Sequence, residues 1–511
     1  MRNAISTIVI ACLLAVMCGV FQAAAIQPQE TPVTYEQFGA WGDGIHDDFD
    51  AICAAHAAAN VTGQPVQGKP GAAYYIGPGA KTAVIQTDTD WGDAQFIIDD
   101  SIMADADRGC NVFQVTSKLL PYPVAGVTAL MKSQTRLDLA LERDAVVIAT
   151  DDTTLRFIRE GGNRNDGTAQ KDVFIVRRNG SVDVNTPILW DYDNITAIMA
   201  YPIDDETLTV RGGHFTTIAN QSEGTGYYSR GLGVSRSNVM VEGFTHAVTG
   251  ETEYGAPYRG FIDVTNCADV TVKNCMLSGH KTYQTIGSAG TVVSMGTYDI
   301  NVNTAVNVAF LNCKQLNDMF DGTLWGIMGS NFCKNLEFDS CELSRFDAHM
   351  GTANAAIRNS MLRTISVTGF GLLRLENTKV TGNTLISLRS DYGSFWDGEV
   401  EIYNCELVSG SPAVISSRNS EQHDFGYPCM MPKKITIDGL LIDDTSHKFF
   451  YFGPHLFDHY NPNFGFCRAK YPYAKTGEVT IKNLTVKSGR CLIKSRYWFT
   501  LMLRGMKVIR V

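Results

Sequence analysis

Three segments of this chain can be laid over one another on a shared Asn/Ser–Cys step, and that repeat restricts the available folds more than any other feature. They read VTVKNCMLSGHKTY, VAFLNCKQLNDMFD and LEFDSCELSRFDAH, with Cys275, Cys313 and Cys341 in register. A weaker fourth copy, VEIYNCELVSG, surrounds Cys405. Each copy alternates apolar and polar residues up to the cysteine, the pattern of a strand with one buried face, and then breaks into a polar segment. The first three cysteines are 38 and 28 residues apart. Unequal intervals exclude a fixed-length repeat, and the shared core points to stacked turns joined by loops of varying length.

In a stack of parallel strands, equivalent residues of successive turns lie one strand spacing apart, about 4.8 Å. Like residues then form ladders, and a small apolar thiol suits an inward-facing one. Carrying the register past the cysteine stacks polar residues as well. Five positions on stand His280, Asp318 and Phe346; six on, Lys281, Met319 and Asp347; eight on, Tyr283, Asp321 and His349. Arg345 stands four beyond its cysteine. Acids, bases and hydrogen-bond donors distant in sequence are thereby gathered into one patch, the candidate active site. Asp347 and His349 are two residues apart, so on a strand they share a face. There Asp347 can orient the imidazole, or in a turn pair with Arg345.

At the N-terminus, Arg2, an apolar run over residues 8–21 and the small residues Ala23, Ala24 and Ala25 form the pattern of a cleaved export signal, residues 1–25. The run is short for a spanning helix, and no later stretch is long and apolar enough for stable membrane insertion. Export to a secreted or periplasmic location places the remaining cysteines in an oxidising compartment. Their odd number, spread over a long chain without CxxC pairs, is neither a small disulfide framework nor a zinc site. The net charge of −10 and pI near 5.5 give no basic footprint for nucleic acid.

The segment YEQFGAWGDGIHDDFDAICAAHAAAN has a short strand expected over residues 35–40, turn glycines, and an amphipathic helix from about Phe49 to Ala59. Asp43, Asp47 and Asp48 read as turn and cap residues rather than as a metal site. The segment resembles the N-terminal signature of pectate-lyase-like, rhamnogalacturonase/epimerase-type proteins, FGA-x-GDG-x-x-DD-x-x-AI. Phe38, Gly39, Ala40, Gly42, Asp43, Gly44, Asp47, Asp48, Ala51 and Ile52 carry the match. The resemblance implies an all-β fold, a right-handed parallel β-helix (β-solenoid) with an N-terminal capping helix. No Pro/Ser-rich linker, low-complexity tract or charge block marks a boundary, so a single domain is expected over residues 26–511, with cap and first coil in 26–80. Runs such as FIIDDSIM, RLDLALERDAVVIA, TLRFIRE and TLTVRGGHFTTIAN are expected in coils, and residues 161–178 in a loop. The aromatic, His-rich stretch over residues 447–473 reads as a packed loop rather than a metal centre.

Three functions fit these residues. The first is a lyase cleaving a uronic-acid-containing, acidic polysaccharide by β-elimination. Arg345 and Lys281 would neutralise the uronate, His349 or His280 would take the C5 proton, and Tyr283 would protonate the leaving oxygen. Calcium is a candidate cofactor, through the oxygens of Asp318, Asp321 and Asp347. The second is a glycoside hydrolase using two of those three aspartates. Polygalacturonase-type relatives carry Asn-x-Asp and Gly-His-Gly motifs, whereas here Asn317 directly precedes Asp318 and Lys281 follows Gly279–His280. That departure favours the lyase. The third is a non-catalytic carbohydrate-binding solenoid. Tyr258, Arg259 and Trp325, in Gly- and Tyr-rich segments, are the expected substrate-binding residues, since aromatic planes suit sugar faces.

Overall fold

The computed structural model describes residues 31–220, 227–252, 258–326, 328–417, 422–447, 451–458, 470–471, 474–495 and 507–510. The expected export signal lies outside these residues. From Val33 onward most strands stack in parallel, hydrogen-bonded to strands of the neighbouring turns. A single column shows why the stack holds. Leu208, Val239, Val270, Val308, Leu336, Ala355, Leu373, Val400, Ile435 and Val479 are successive partners, and every one is buried. One turn cannot cover its own apolar face, so each depends on its neighbours for its core.

The cysteine ladder lies at the expected place. Met276, Lys314 and Glu342 pair in sequence, so Cys275, Cys313 and Cys341 stack one residue earlier, all fully buried. The next two rungs are Ser360 and Thr378, followed by Cys405. Replacing the thiol by a hydroxyl hid those two turns from the repeat. The residue before each rung explains the other half of the motif. Asn274, Asn312, Ser340, Asn359, Asn377 and Asn404 all have positive φ, between 49° and 58°. Asparagine enters this left-handed region at lower cost than most side chains. Its amide also joins turns together: Asn312 Nδ2 donates to Asn274 Oδ1 at 2.9 Å, and Asn377 Nδ2 to Asn359 Oδ1 at 3.1 Å.

The cap contains an α-helix, Phe49–Thr62. The expected strand before it is instead a 3-10 turn, Tyr35–Phe38, closed by Gly39 at φ 94°; Tyr35 is drawn inward, where its hydroxyl accepts from Trp91 Nε1 at 2.6 Å. The aspartates build turns. Asp48 accepts from the amides of Trp41 and Gly42, Asp47 from Phe49, and Asp43 from Ile45 and His46.

A larger insertion also breaks into the coils. Tyr122–Pro123, Ala145–Arg156, Thr168–Val176 and Ala197–Pro202 form a separate antiparallel sheet. RLDLALERDAVVIA and TLRFIRE therefore do not belong to coils, and the expected loop over 161–178 contains a strand. The run AVVIA is buried on both faces. Val147 and Ala149 face the sheet's own core, while Val146 and Ile148 pack on Ala268 and Val306 of the coils. A strand covered on both sides reads like a solenoid strand in sequence. Lys334 Nζ and Asp172 Oδ1, 2.8 Å apart and both buried, link the two parts.

One corner of the solenoid positions the site. Successive strands of the stack end there, at Asp99, Ile218, Thr249, Leu277 and Gln315, and the stack resumes at Phe113, Leu232, Ile262, Ile300 and Met328; the next strand, Glu342–Arg358, runs through the corner without a break. The intervening segments overturn the register expected beyond the cysteine. Asp347 pairs with Gly329, and Gly329 with Asn301, so neither Lys281 nor Met319 lies on its rung.

Candidate active site

Along Glu342–Arg358, Phe346 and Ala348 point into the core, so the two-residue period turns Arg345, Asp347 and His349 to the other face. Asp347 is the buried centre of the group. Its Oδ2 accepts from Tyr298 Oη at 2.7 Å, and Arg389 Nη1 donates to its Oδ1. Arg345 Nε lies 3.2 Å from Oδ2 but off the hydrogen-bond axis, so it contributes charge rather than a directed bond. Arg389 also grips Asp391 through Nε at 3.2 Å and Nη2 at 2.7 Å, and Arg159 Nε reaches the same carboxylate at 2.7 Å. The charges alternate: Arg345, Asp347, Arg389, Asp391, Arg159. The two end guanidiniums are the partly exposed ones, with side chains 23% and 26% exposed.

Glycines permit this packing. A Cβ at Gly296 would collide with the Trp325 ring, and one at Gly326 with the Arg345 side chain. Trp325 is thereby seated so that the Arg345 guanidinium lies 4.4 Å over its ring.

Burial alone would raise the Asp347 carboxyl, but the charges of Arg389 and Arg345 and the Tyr298 hydroxyl hold it well below the usual carboxylate range. Asp391 is lowered in the same way, by Arg389 and Arg159 against burial. Neither is poised as a proton donor. His349 is pushed down to about 4, by burial first and then by Arg389 and Arg159, which together outweigh the two aspartates. Its imidazole is neutral at neutral pH. The Tyr298 hydroxyl gives its proton to Asp347 and keeps lone pairs toward His349 Nε2, 3.3 Å away. Nε2 is then the protonated nitrogen and Nδ1 the basic one.

The structure thus gathers Arg345, Asp347, His349 and Trp325 and leaves the other expected residues elsewhere. Asp318 and Asp321 sit within residues 316–326 as turn acceptors, for the amides of Phe320 and Thr323. Since Asp347 is already saturated, these three aspartates do not converge on a calcium ion. Lys281 Nζ is held by the Thr252 carbonyl. Tyr283 lies buried in a hairpin, Tyr283–Ile286 with Val292–Met295, where burial pushes its hydroxyl up to about 12.

His280 is not at a surface at all. Fully buried, it donates from Nε2 to Asp299 Oδ1 at 2.8 Å, and His246 Nδ1 donates to the same oxygen at 2.7 Å. Thr217 Oγ1 lies 3.0 Å from His246 Nε2, and the His246 ring stacks on Phe261 at 3.8 Å. Among the described residues, His246, His280 and Asp299 form the one trio close enough to share a metal ion; hydrogen bonds already account for its convergence. Tyr258 is likewise internal. Its hydroxyl donates to Asp100 Oδ2 at 3.0 Å, beside the fully buried Arg230–Asp100 ion pair at 2.8 Å. Arg259 is exposed. In the His-rich stretch, His455 is buried in a strand, His455–Phe457, and His459 lies outside the described residues.

Tyr298, Asp391 and Arg159 were not legible as site residues, and Arg389 was legible only as a residue that either extends a basic groove or decorates the exterior. They lie outside the cysteine repeat, on other turns or on the inserted sheet. The only local sign was density of chemistry, in GTYDI and SLRSDY.

No family model matches the sequence, and no curated protein matches it. Solved structures do. The tailspike gp61 of Pseudomonas phage phi297 is similar at a TM-score of 0.52 and 12% identity, over 93% of this chain and 83% of that one. The tailspike protein gp49 from Pseudomonas phage LKA1 gives 0.48 and 15%, over 89% and 81%. The gp54 tailspike of Acinetobacter baumannii bacteriophage AP22, solved in complex with A. baumannii capsular saccharide, gives 0.47 and 10%, over 94% and 79%. With the turn-to-turn parallel pairing, the first of these likenesses identifies the architecture as a right-handed parallel β-helix of the kind found in phage tailspikes.

Proposed function

We propose that this is an exported enzyme that cleaves a uronate-containing, acidic polysaccharide by β-elimination, with His349 as the base. One observation carries the reading: a neutral, partly exposed imidazole stands beside guanidiniums that outnumber the carboxylates three to two. Arg345 and Arg159, at the exposed ends of the charge chain, bind the substrate carboxylate and stabilise the negative charge that develops beside it. His349 Nδ1 takes the C5 proton. The C5–H electron pair forms the new C4–C5 double bond as the C4–O bond breaks. A tyrosine hydroxyl then protonates the leaving oxygen. Tyr283 fills that role in the sequence reading, and Tyr227, whose hydroxyl lies 3.4 Å from the Gly296 carbonyl, is a second candidate. Burial pushes the Tyr283 hydroxyl up to about 12, so it keeps its proton at neutral pH. Trp325 offers a flat face to a sugar ring.

Hydrolysis is less well supported. It requires a carboxyl with a raised pKa as general acid, and both site carboxyls are lowered. The apolar N-terminal run agrees with export.

The test is ultraviolet absorbance of the protein with a panel of uronate polysaccharides, with and without calcium. A rising unsaturated-uronate signal, lost in His349→Ala and Arg345→Ala, is expected. New reducing ends without that absorbance would replace elimination by hydrolysis. Saccharide binding with neither product would make the protein a non-catalytic carbohydrate binder.

A further inference from the structure

A second cavity lies on the seam between the inserted sheet and the coils, where the site just described has no part. It holds about 250 Å³ and opens to solvent. Trp190 from the insertion, Phe370 from the coils and Tyr427 from a later loop form apolar walls. Lys132 and Arg156 supply positive charge and Asp191 and Asp397 negative charge, two of each sign. The aromatic groups brace one another: Trp190 meets Phe370 edge-on at 5.1 Å and lies 6.3 Å from Tyr427. Arg156 is fixed by Gln170 Oε1 at 2.9 Å and by the Gly426 carbonyl, with its guanidinium 4.7 Å over Trp190.

Three physical constraints define the occupant. The volume is below the usual range of drug-sized pockets, so it admits something near a single ring. The walls favour a body with C–H faces, and the polar groups require hydroxyls, because a purely apolar guest would leave them desolvated. The charges select against ions. An anion would approach Asp397, which is 93% buried and held ionised by Lys433 at 2.6 Å and Lys132 at 3.2 Å; a cation would meet Lys132 and Arg156. A neutral polyhydroxylated ring satisfies all three, with carboxylate acceptors and cationic donors bonding its hydroxyls.

The geometry points to a binding site for a neutral hexopyranose unit in this cavity, separate from the arginine-rich site and serving to anchor the polysaccharide, which rests on the reading of this chain as carbohydrate-active. The two sites share a short length of backbone. Arg156 faces the cavity, Phe157 packs between Tyr392 and Tyr427, and Arg159 binds Asp391.

Because Trp190 marks the cavity and Trp325 the arginine-rich site, one spectrum reads both. The protein is labelled with 5-fluorotryptophan, and among the signals of its six tryptophans those of Trp190 and Trp325 are assigned with Trp190→Phe and Trp325→Phe. Methyl glycosides of glucose, galactose, mannose and N-acetylglucosamine are then titrated to millimolar concentration. At least one should move the Trp190 signal saturably while Trp325 stays still. The isosteric Asp397→Asn, checked for an unchanged melting temperature, should weaken that binding about tenfold. If no glycoside moves Trp190, or if Asp397→Asn binds as the parent does, the site is refuted. The catalytic reading is judged separately, by whether oligogalacturonate moves Trp325.

Discussion

The neutrality of His349 gives a prediction independent of any substrate. In the unfolded chain its pKa is near 6.5, and in the fold it is pushed down to about 4 by burial and the neighbouring guanidiniums. Between these values the unfolded state binds a proton that the native state does not, so stability rises with pH across that window. The contribution is complete above about pH 6.5 and gone below about pH 4. At about 1.4 kcal/mol per pH unit, it amounts to roughly 3 kcal/mol. The perturbation is His349→Gln, which keeps a hydrogen-bonding side chain and removes the titration. Guanidinium unfolding of parent and variant from pH 4 to pH 7 supplies the assay. The parent's advantage should grow by roughly 3 kcal/mol from pH 4 to 6.5 and then level. His56, fully buried and lowered to about 3, titrates with the same sign, but it is present in both proteins and cancels in the difference. In the parent, histidine-selective NMR should place the His349 imidazole midpoint near 4. A flat difference curve with a midpoint near 6.5 would refute both the neutral imidazole and its role as a base at neutral pH.

Other consequences follow from the same packing. Arg389→Met removes the cation shared by the buried Asp347 and Asp391 and should cost about 3–5 kcal/mol in unfolding free energy; Asp318→Ala and Asp321→Ala, which remove only turn acceptors, should stay below about 1 kcal/mol. Lys334→Met strands the Asp172 carboxylate, so amide exchange should accelerate across Thr168–Val176 before it does in the coils. Asn335→Ala places alanine at φ 56° and breaks the amide chain from Asn307 through Asn335 to Asn354, a loss of about 1–2 kcal/mol measured by thermal or denaturant unfolding. A thiol reagent should modify the exposed Cys491 in the native protein and reach Cys275, Cys313, Cys341 and Cys405 only after unfolding.

The sequence by itself determined the kind of object this is. Period-two alternation fixes which side of each strand is buried. The Asn/Ser–Cys step fixes where the chain turns and which side chains stack, because a left-handed backbone position favours asparagine and an inward rung favours a small apolar group. The same local rule placed Arg345, Asp347 and His349 on one face, since they lie on one unbroken strand. It failed wherever a loop intervened. Tyr283 and Asp321 share a spacing with His349 on paper, and Asp318 shares one with Phe346, but residues 278–299 and 316–326 leave the stack before those spacings can act. His280 and Tyr258 carry suitable chemistry and lie in the interior, held by Asp299 and Asp100, because burial depends on what the other turns place above them. Arg389, Asp391 and Arg159 reach Asp347 and its neighbours from 42, 44 and 188 residues away. Only the tertiary structure decided their convergence, because stacking distance is set by turns and not by sequence separation. With it came the neutral imidazole, because burial among other turns, aided by the Arg389 and Arg159 guanidiniums, disfavours its protonated form.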